Sequence, residues 1–246
     1  MKTVIISDVH GRDMWKHIIN QEQPDRVVFL GDYFDSLKID GTTQLNNFLD
    51  ILEYKKTSNK KVILLIGNHD IHYFPEISDT GTSGYNHVFS FQFSDIIDQN
   101  RQHLQMAYKM DEFLFSHAGV SEEFMDDEFG VDGWSVETID TDLNELFKYQ
   151  PRKFKFKSHK LDQISNGHGD NTWQSPIWIR PRSLMKSNQY LKKEVIQVVG
   201  HTWVEKVDIK GKSTGGRYYF VDTQETSKEY MIITDDIISF GIPKLD

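Results

Sequence analysis

Residues 3–11 read Thr3-Val4-Ile5-Ile6-Ser7-Asp8-Val9-His10-Gly11, and residues 26–35 read Arg26-Val27-Val28-Phe29-Leu30-Gly31-Asp32-Tyr33-Phe34-Asp35. Each is a short apolar run, rich in β-branched residues, that ends in a carboxylate. The apolar positions are continuous rather than alternating, which predicts strands buried on both faces. The pattern recurs at residues 61–66, before Gly67-Asn68-His69-Asp70. Helix-like stretches lie between these runs, at 13–21 and at 43–55, the second with Leu45, Phe48, Leu49 and Leu52 at helical spacing. Strand, helix, strand, helix, strand predicts a parallel sheet with right-handed crossovers.

Four more runs of this kind come later, at 112–116, 194–199, 218–221 and 230–234. The last three succeed one another around the turn-rich 210–216, which predicts a hairpin tip there and local antiparallel pairing. Residues 121–174 are acidic first (Glu122, Glu123, Asp126, Asp127, Glu128) and basic later (Arg152, Lys153, Lys155, Lys157, Lys160). One helix is expected there, at about 142–149, and a loop at 165–171. The fold class is α/β. No repeat or linker tract divides the chain, so the expectation is one domain over 1–246 with an inserted, mostly non-strand segment at about 121–174.

Composition removes whole classes. The 246 residues hold no cysteine, so disulfides, thiolate metal sites and cysteine nucleophiles are excluded. Aromatic residues make up 13% of the chain, far too many for a disordered acidic tail. A net charge of −9 argues against a duplex-DNA binder that neutralises phosphates. No apolar run approaches the roughly 20 residues of a membrane span. The expected location is cytoplasmic.

In open α/β sheets, ligands sit beyond the carboxyl ends of the strands. Five runs end in the same kind of chemistry: Asp8-x-His10, Gly31-Asp32-x-x-Asp35, Gly67-Asn68-His69-Asp70, His117-Ala118-Gly119 and Gly200-His201-Thr202. Any one of these alone is an ordinary strand ending. Five in order, each just after an apolar run, predict side chains that converge on one rim. Carboxylate, imidazole and amide oxygen together suit Mn, Fe, Zn, Co or Ni better than a purely oxygen-ligated ion. A carboxylate such as Asp32 can bridge two ions about 3.5–4 Å apart.

These five motifs resemble those of the calcineurin-like metallophosphoesterases. Within them the chain is most similar to the phosphoprotein-phosphatase branch, which includes small bacterial and phage phosphatases and the symmetrical diadenosine tetraphosphate hydrolases. Trp178-Ile179-Arg180 and the absence of a second histidine after Gly200-His201 support that branch. The resemblance covers residues 4–223. It implies a four-layer sandwich of two mixed β-sheets flanked by helices, and two divalent metal ions, most often Mn. It implies that Asp8 and His10 bind the first ion, that Asp32 bridges both, and that Asn68, His117 and His201 complete the second. His69 is then the general acid, Asp35 orients it, and Arg180 clamps phosphate oxygens. The implied reaction is hydrolysis of a phosphate ester by a hydroxide held between the metals. The expected substrate is a phosphomonoester, whether phosphoprotein, nucleotide or small metabolite. The alternative is a dinucleoside polyphosphate pyrophosphohydrolase or a phosphodiesterase on nucleotides or nucleic acid. A catalytically dead scaffold would lack a ligand or the acid, and every one of these residues is present.

The motifs also depart from that branch. Ser36 and Leu37 stand where its protein phosphatases carry Arg-Gly, so a second phosphate clamp has to come from Arg12, Lys38 or Arg152. Asp70 replaces a glutamate, and Gln224 replaces a glycine. His72 and His168 are further candidates for the pocket. Trp134, Trp173 and Trp203 are candidate stacking platforms for a nucleobase, with core or rim packing the ordinary alternative.

Overall fold

Val4 and Ile6 face one side of the first strand, while Ile5 faces the other, and the same division repeats in the next two strands. Val27, Phe29, Val62 and Leu64 join Val4 and Ile6 in one apolar cluster with Trp15, Ile18, Phe48 and Ile51 from helices. Ile5, Val28, Ile63 and Leu65 join Phe113, Phe115, Ile196 and Val198 in a second cluster. Apolar residues on both faces of these strands therefore hold helices on one side and a second sheet on the other. This is the physical reason why the runs are continuous in the sequence.

The computed structural model describes residues 1–77, 84–157, 170–187, 190–210 and 217–244. Its strands are β1 (Lys2–Ile6), β2 (Arg26–Phe29), β3 (Lys61–Leu65), β4 (Leu104–Gln105), β5 (Ala107–Met110), β6 (Phe113–Ser116), β7 (Ile196–Val199), β8 (Asp208–Lys210), β9 (Tyr218–Phe220), β10 (Tyr230–Thr234) and β11 (Ile237–Gly241). Its helices are α1 (Met14–Glu22), α2 (Gly41–Thr57), α3 (Ser90–Gln99), α4 (Glu122–Phe129), α5 (Ile139–Tyr149), α6 (Pro181–Ser187) and α7 (Leu191–Glu194). One sheet has the order β11-β10-β1-β2-β3-β4 and the other β5-β6-β7-β9-β8. Both are mixed. In the first, β1 to β4 are parallel while β10 runs against β1 and β11 against β10. In the second, β6, β7 and β9 are parallel, with β5 and β8 antiparallel at the edges. Leu184 of α6 packs on Val199, Tyr218 and Phe220 from the outer face of the second sheet. The order is helices, sheet, sheet, helices: the four-layer α/β sandwich.

The expected C-terminal pairing is corrected in part. The run at 194–199 pairs with 218–221 in parallel, because β8 (208–210) turns back first and takes the antiparallel place beside β9. The run at 230–234 leaves for the other sheet and pairs antiparallel with β1. The tip at 211–216, the loop at 165–169 and His168 lie outside the described residues. Among the described residues of 121–174 there are helices and turns but no strand.

Parallel strands from both sheets end at a common rim. Just beyond β2, Gly31 has φ +104°, and a Cβ there would lie 2.4 Å from the backbone nitrogen of Gly67. The two strand-end loops touch backbone to backbone at that point. Gly31→Ala is expected to cost about 2 kcal/mol or more through strain and overlap. In a chain of this length that lowers Tm by about 4–8 °C, measurable by thermal denaturation against the wild type.

Candidate active site

The loops after β1 and β2 run side by side. His10 N–H donates to the Asp32 carbonyl at 2.7 Å and Gly11 N–H to that of Tyr33 at 3.0 Å. These two bonds hold the loops together and bring Asp8, His10, Asp32 and Asp35 to one place. Five residues of the rim, Asp8, His10, Asp32, Asp35 and His201, have positive φ between 36° and 65°. That conformation is uncommon for non-glycine residues and clusters where side chains must be aimed.

The side chains converge around the Asp32 carboxylate, which is 2% exposed. Its Oδ2 lies 3.6 Å from His10 Nε2 and 3.5 Å from His117 Nε2. Its Oδ1 accepts the N–H of His69 at 2.9 Å. Asp8, His10 and Asp32 present ligand atoms within 4.8 Å of one another, a cluster able to hold a metal ion. Asp8 is held by the N–H of His201, 3.1 Å from Oδ1 and 3.2 Å from Oδ2. A second cluster adjoins the first. Asn68 Oδ1 lies 2.9 Å from His117 Nε2 and 2.8 Å from His201 Nδ1.

Burial explains the charge states. Burial lowers the pKa of His10, of His117 and, furthest, of His201, which favours the neutral imidazoles that ligate metals. Asp8 is raised well above the usual carboxylate range by burial and by the nearby Asp222 and Asp32. Burial opposes ionisation of Asp32 too, but His117, His69 and His10 outweigh it and hold its carboxyl low. Burial would also lower His69, yet Asp32 and Asp35 reverse the sign and push it up to about 9. His69 Nδ1 faces Asp35 Oδ2 at 3.1 Å, and Tyr73 donates to Asp35 Oδ1.

The nine residues to which the resemblance gives roles are brought together here. Asp8, His10, Asp32, Asp35, Asn68, His69, Arg180 and His201 line one cavity of about 390 Å³, and His117 lies buried directly beneath Asn68 and Asp32. Of the three candidate substitute clamps, Arg12 and Lys38 line it too. Arg152 does not: its Nε donates to the Glu76 carbonyl in a separate surface groove. His72 is buried against Trp178 and Tyr85 in a 3₁₀ turn over 71–73, not in the cavity. Trp134 is committed to Asp126 through its indole N–H, while Trp203 stands exposed at the cavity. Sequence reading missed Asp222, which is 1% exposed, lines the cavity and is pushed up to about 7 by burial and by Asp32. It comes directly after the run at 218–221 just as Asp8 comes after 3–7, so the same rule reaches it.

The sequence pattern of the calcineurin-like phosphoesterases matches residues 1–205. The chain belongs to that family. As a calcineurin-like phosphoesterase it is a hydrolase of phosphate esters, and Asp8, His10 and Asp32 form the cluster that could hold a metal ion. Its fold matches a cold-active protein-tyrosine phosphatase from a Shewanella species at 18% identity and a TM-score of 0.64, over 98% of this chain and 77% of that one. It also matches a protein serine/threonine phosphatase from Saccharomyces cerevisiae (12%, TM-score 0.58, 100% and 81%) and a metallophosphoesterase from Sphaerobacter thermophilus (14%, 0.51, 98% and 87%). At these identities the likeness is one of fold. No curated protein matches the chain. Among the described residues, no helix is long and apolar enough to cross a membrane.

Asp70 fixes the frame of this phosphoesterase site. Its buried carboxylate accepts the N–H groups of Asp32 and Tyr33, each at 2.7 Å, and of Gly67 at 2.9 Å. Gly67 is close enough that a Cβ there would lie 2.0 Å from Asp32 Oδ1. Asp70→Ala leaves three buried donors without an acceptor, at about 1–3 kcal/mol each. The expected outcome is a loss of about 3 kcal/mol or more in urea unfolding, even though the Asp70 carboxylate is engaged only by backbone donors.

Proposed function

We propose that the chain is a dinuclear metal-dependent phosphomonoesterase of the phosphoprotein-phosphatase type. The observation that carries this reading is the sharing of Asp32 Oδ2 between His10 and His117, with Asn68 Oδ1 facing two imidazole nitrogens beside it. Two donor sets with one common carboxylate suit two cations. The buried Nε2 of His201 has no hydrogen-bond partner among the described residues, so its ring is engaged through Nδ1 on the side of Asn68. Asp8, His10 and Asp32 fit one divalent ion, and Asp32, Asn68, His117 and His201 the other. Mixed nitrogen and oxygen donors fit Mn first, with Fe, Zn, Co or Ni as alternatives. When bound, such ions neutralise phosphate charge and make a coordinated water acidic.

The chain's own groups supply the rest. Arg180 reaches the cavity from the loop before α6, its NH1 held by the His201 carbonyl at 3.3 Å and Thr202 Oγ1 at 3.1 Å. Arg12 and Lys38 enter from another wall, both bonded to Glu225. Three cationic side chains suit the non-bridging oxygens of a monoester dianion. His69 donates its proton to the leaving oxygen from Nε2, because Nδ1 is engaged by Asp35.

Asp32→Asn is expected to lose bound metal and turnover together. His69→Asn is expected to keep metal and to lose about 10²–10⁴-fold in kcat. Metal analysis beside hydrolysis of p-nitrophenyl phosphate and bis-p-nitrophenyl phosphate, with Mn added back to stripped protein, checks both. Turnover of the diester alone would replace the monoester reading.

The pH dependence comes from the sign of the shift at His69. Without metal, Asp32 and Asp35 push His69 up to about 9; cations on Asp32 would offset its share, so the acid is lost as pH rises through a value at or below about 9. Asp35→Asn removes one of the carboxylates that raise it, and the alkaline limb of kcat should move down by about one unit or more. An unmoved limb would detach His69 from the acid role.

A further inference from the structure

The Asp35 carboxylate is buried, and each of its oxygens is engaged. Oδ2 faces His69 Nδ1 at 3.1 Å, and Oδ1 accepts the Tyr73 hydroxyl. The torsion that turns a carboxylate about its own axis is broad and roughly two-fold, so one bond to His69 leaves it free to swing. A second bond on the opposite oxygen removes that freedom. His69 depends on this. Its N–H is tied to Asp32 Oδ1 at 2.9 Å, but its ring is directed by Asp35 at Nδ1 and by the edge contact with the His10 ring at 5.3 Å.

The Tyr73 hydroxyl is itself aimed. Its oxygen accepts the Asn86 N–H at 3.0 Å, which leaves its own proton for Asp35. Asn86 Oδ1 in turn accepts the Phe89 N–H at 3.1 Å, fixing the turn that leads into α3. The Tyr85 ring lies flat on the Tyr73 ring, with 5.1 Å between centroids and 15° between planes. Phe34 and Phe93 meet the same ring edge-on at 5.7 and 5.2 Å. Aromatic packing from three residues and an N–H on the oxygen leave the Tyr73 side chain one position. Burial and the charge of Asp35 push its pKa well above the usual phenol range, so it remains the donor.

We propose that Tyr73 is a positioning residue for proton transfer to the leaving group: Tyr73 fixes Asp35, Asp35 fixes the His69 ring, and the ring directs Nε2 to the ester oxygen. The proton passes from His69 Nε2 to that oxygen as its bond to phosphorus breaks, while Asp35 and Tyr73 keep their own protonation states. Tyr73 is 1% exposed and does not line the cavity, so it acts only through Asp35. Its effect therefore scales with the need of the departing oxygen for a proton. A basic oxygen needs one, and a weakly basic oxygen such as a nitrophenolate departs nearly unaided. A residue that served the fold alone would lower both rates equally. This inference rests on the general-acid reading of His69 above and adds the residue that holds the acid in line.

The test is hydrolysis of phenyl phosphate and of p-nitrophenyl phosphate by the Mn-loaded chain, with metal content and Tm measured on each variant. Tyr73→Phe keeps the packed ring and removes only the hydroxyl. It is expected to lose about tenfold in kcat on phenyl phosphate and about threefold or less on p-nitrophenyl phosphate, with KM within about twofold and metal content unchanged. Asp35 has φ +65°, so glycine removes its side chain without backbone strain. In the Asp35→Gly background, Tyr73→Phe should cost about twofold or less, because the group it acts through is gone. Equal losses on the two esters, or full additivity with Asp35→Gly, overturn the inference while leaving His69 as the acid. His69→Asn supplies the reference and should show the larger dependence on the leaving group. Equal losses on the two esters in His69→Asn overturn the acid reading and the inference with it.

Discussion

The Asp32 carboxylate is the point on which the rim is built. Its side-chain oxygens, its N–H and its carbonyl are engaged from three other strand-end loops: His10 N–H at the carbonyl, Asp70 at the N–H, His69 N–H at Oδ1, with His10 and His117 facing Oδ2. A residue so constrained has one position. The positive φ of Asp32 and of its neighbours Asp8, His10 and Asp35 is the conformational cost of bringing these loops to one atom. Gly31 and Gly67 make the approach possible, since a Cβ on either would occupy space the opposing loop already fills.

That geometry forces acidic groups together in a place where water is scarce. Asp8, Asp32, Asp70 and Asp222 are all buried within reach of one another's fields. Isolated buried carboxylates protonate rather than stay charged. Here Asp70 is raised to about 8 and Asp222 to about 7, burial being the first cause for each and Asp32 the second. Asp32 alone is driven the other way, by the histidines that surround it. The lowest-lying carboxylate is therefore the one that faces both donor clusters.

Much of this was legible from residue order. The seven apolar runs all became strands, because burial on both faces leaves a continuous signal that survives without knowledge of partners. The site motifs were legible for a related reason: a parallel strand delivers the residues after it to the carboxyl edge, whichever strand lies beside it. Pairing was less legible. The run at 194–199 lies parallel to 218–221 because the short β8 intervenes, and three residues of polar sequence give little periodicity to read. Strand β11 escaped notice since it is an edge strand, mostly exposed, and β4 has only two residues. Tyr73, Arg12 and Glu225 act through long-range contacts that no local pattern encodes, the Arg12–Glu225 bond spanning 213 positions.

Charge balance ties the departure at Ser36-Leu37 to the rest of the cavity. Five carboxylates line it (Asp8, Asp32, Asp35, Asp222 and Glu225) against three permanent cations, Arg12, Lys38 and Arg180. Burial pushes Asp8 and Asp222 towards the neutral acid, while Asp32 and Asp35 hold His69 protonated, so the ionised carboxylates and the cations of the wall come close to balance. A cation held by Asp8 and Asp32 would draw those carboxylates back to the ionised form, so metal loading and the charge offered to an anion would be coupled through them. Glu225 adds to the negative side, yet it also holds Arg12 and Lys38 at the wall from two separate loops. An arginine placed at residue 36 would supply its charge from within the motif and need no such brace. With serine there, the motif's next position is free to carry Leu37 outward, and the charge is supplied across the cavity instead.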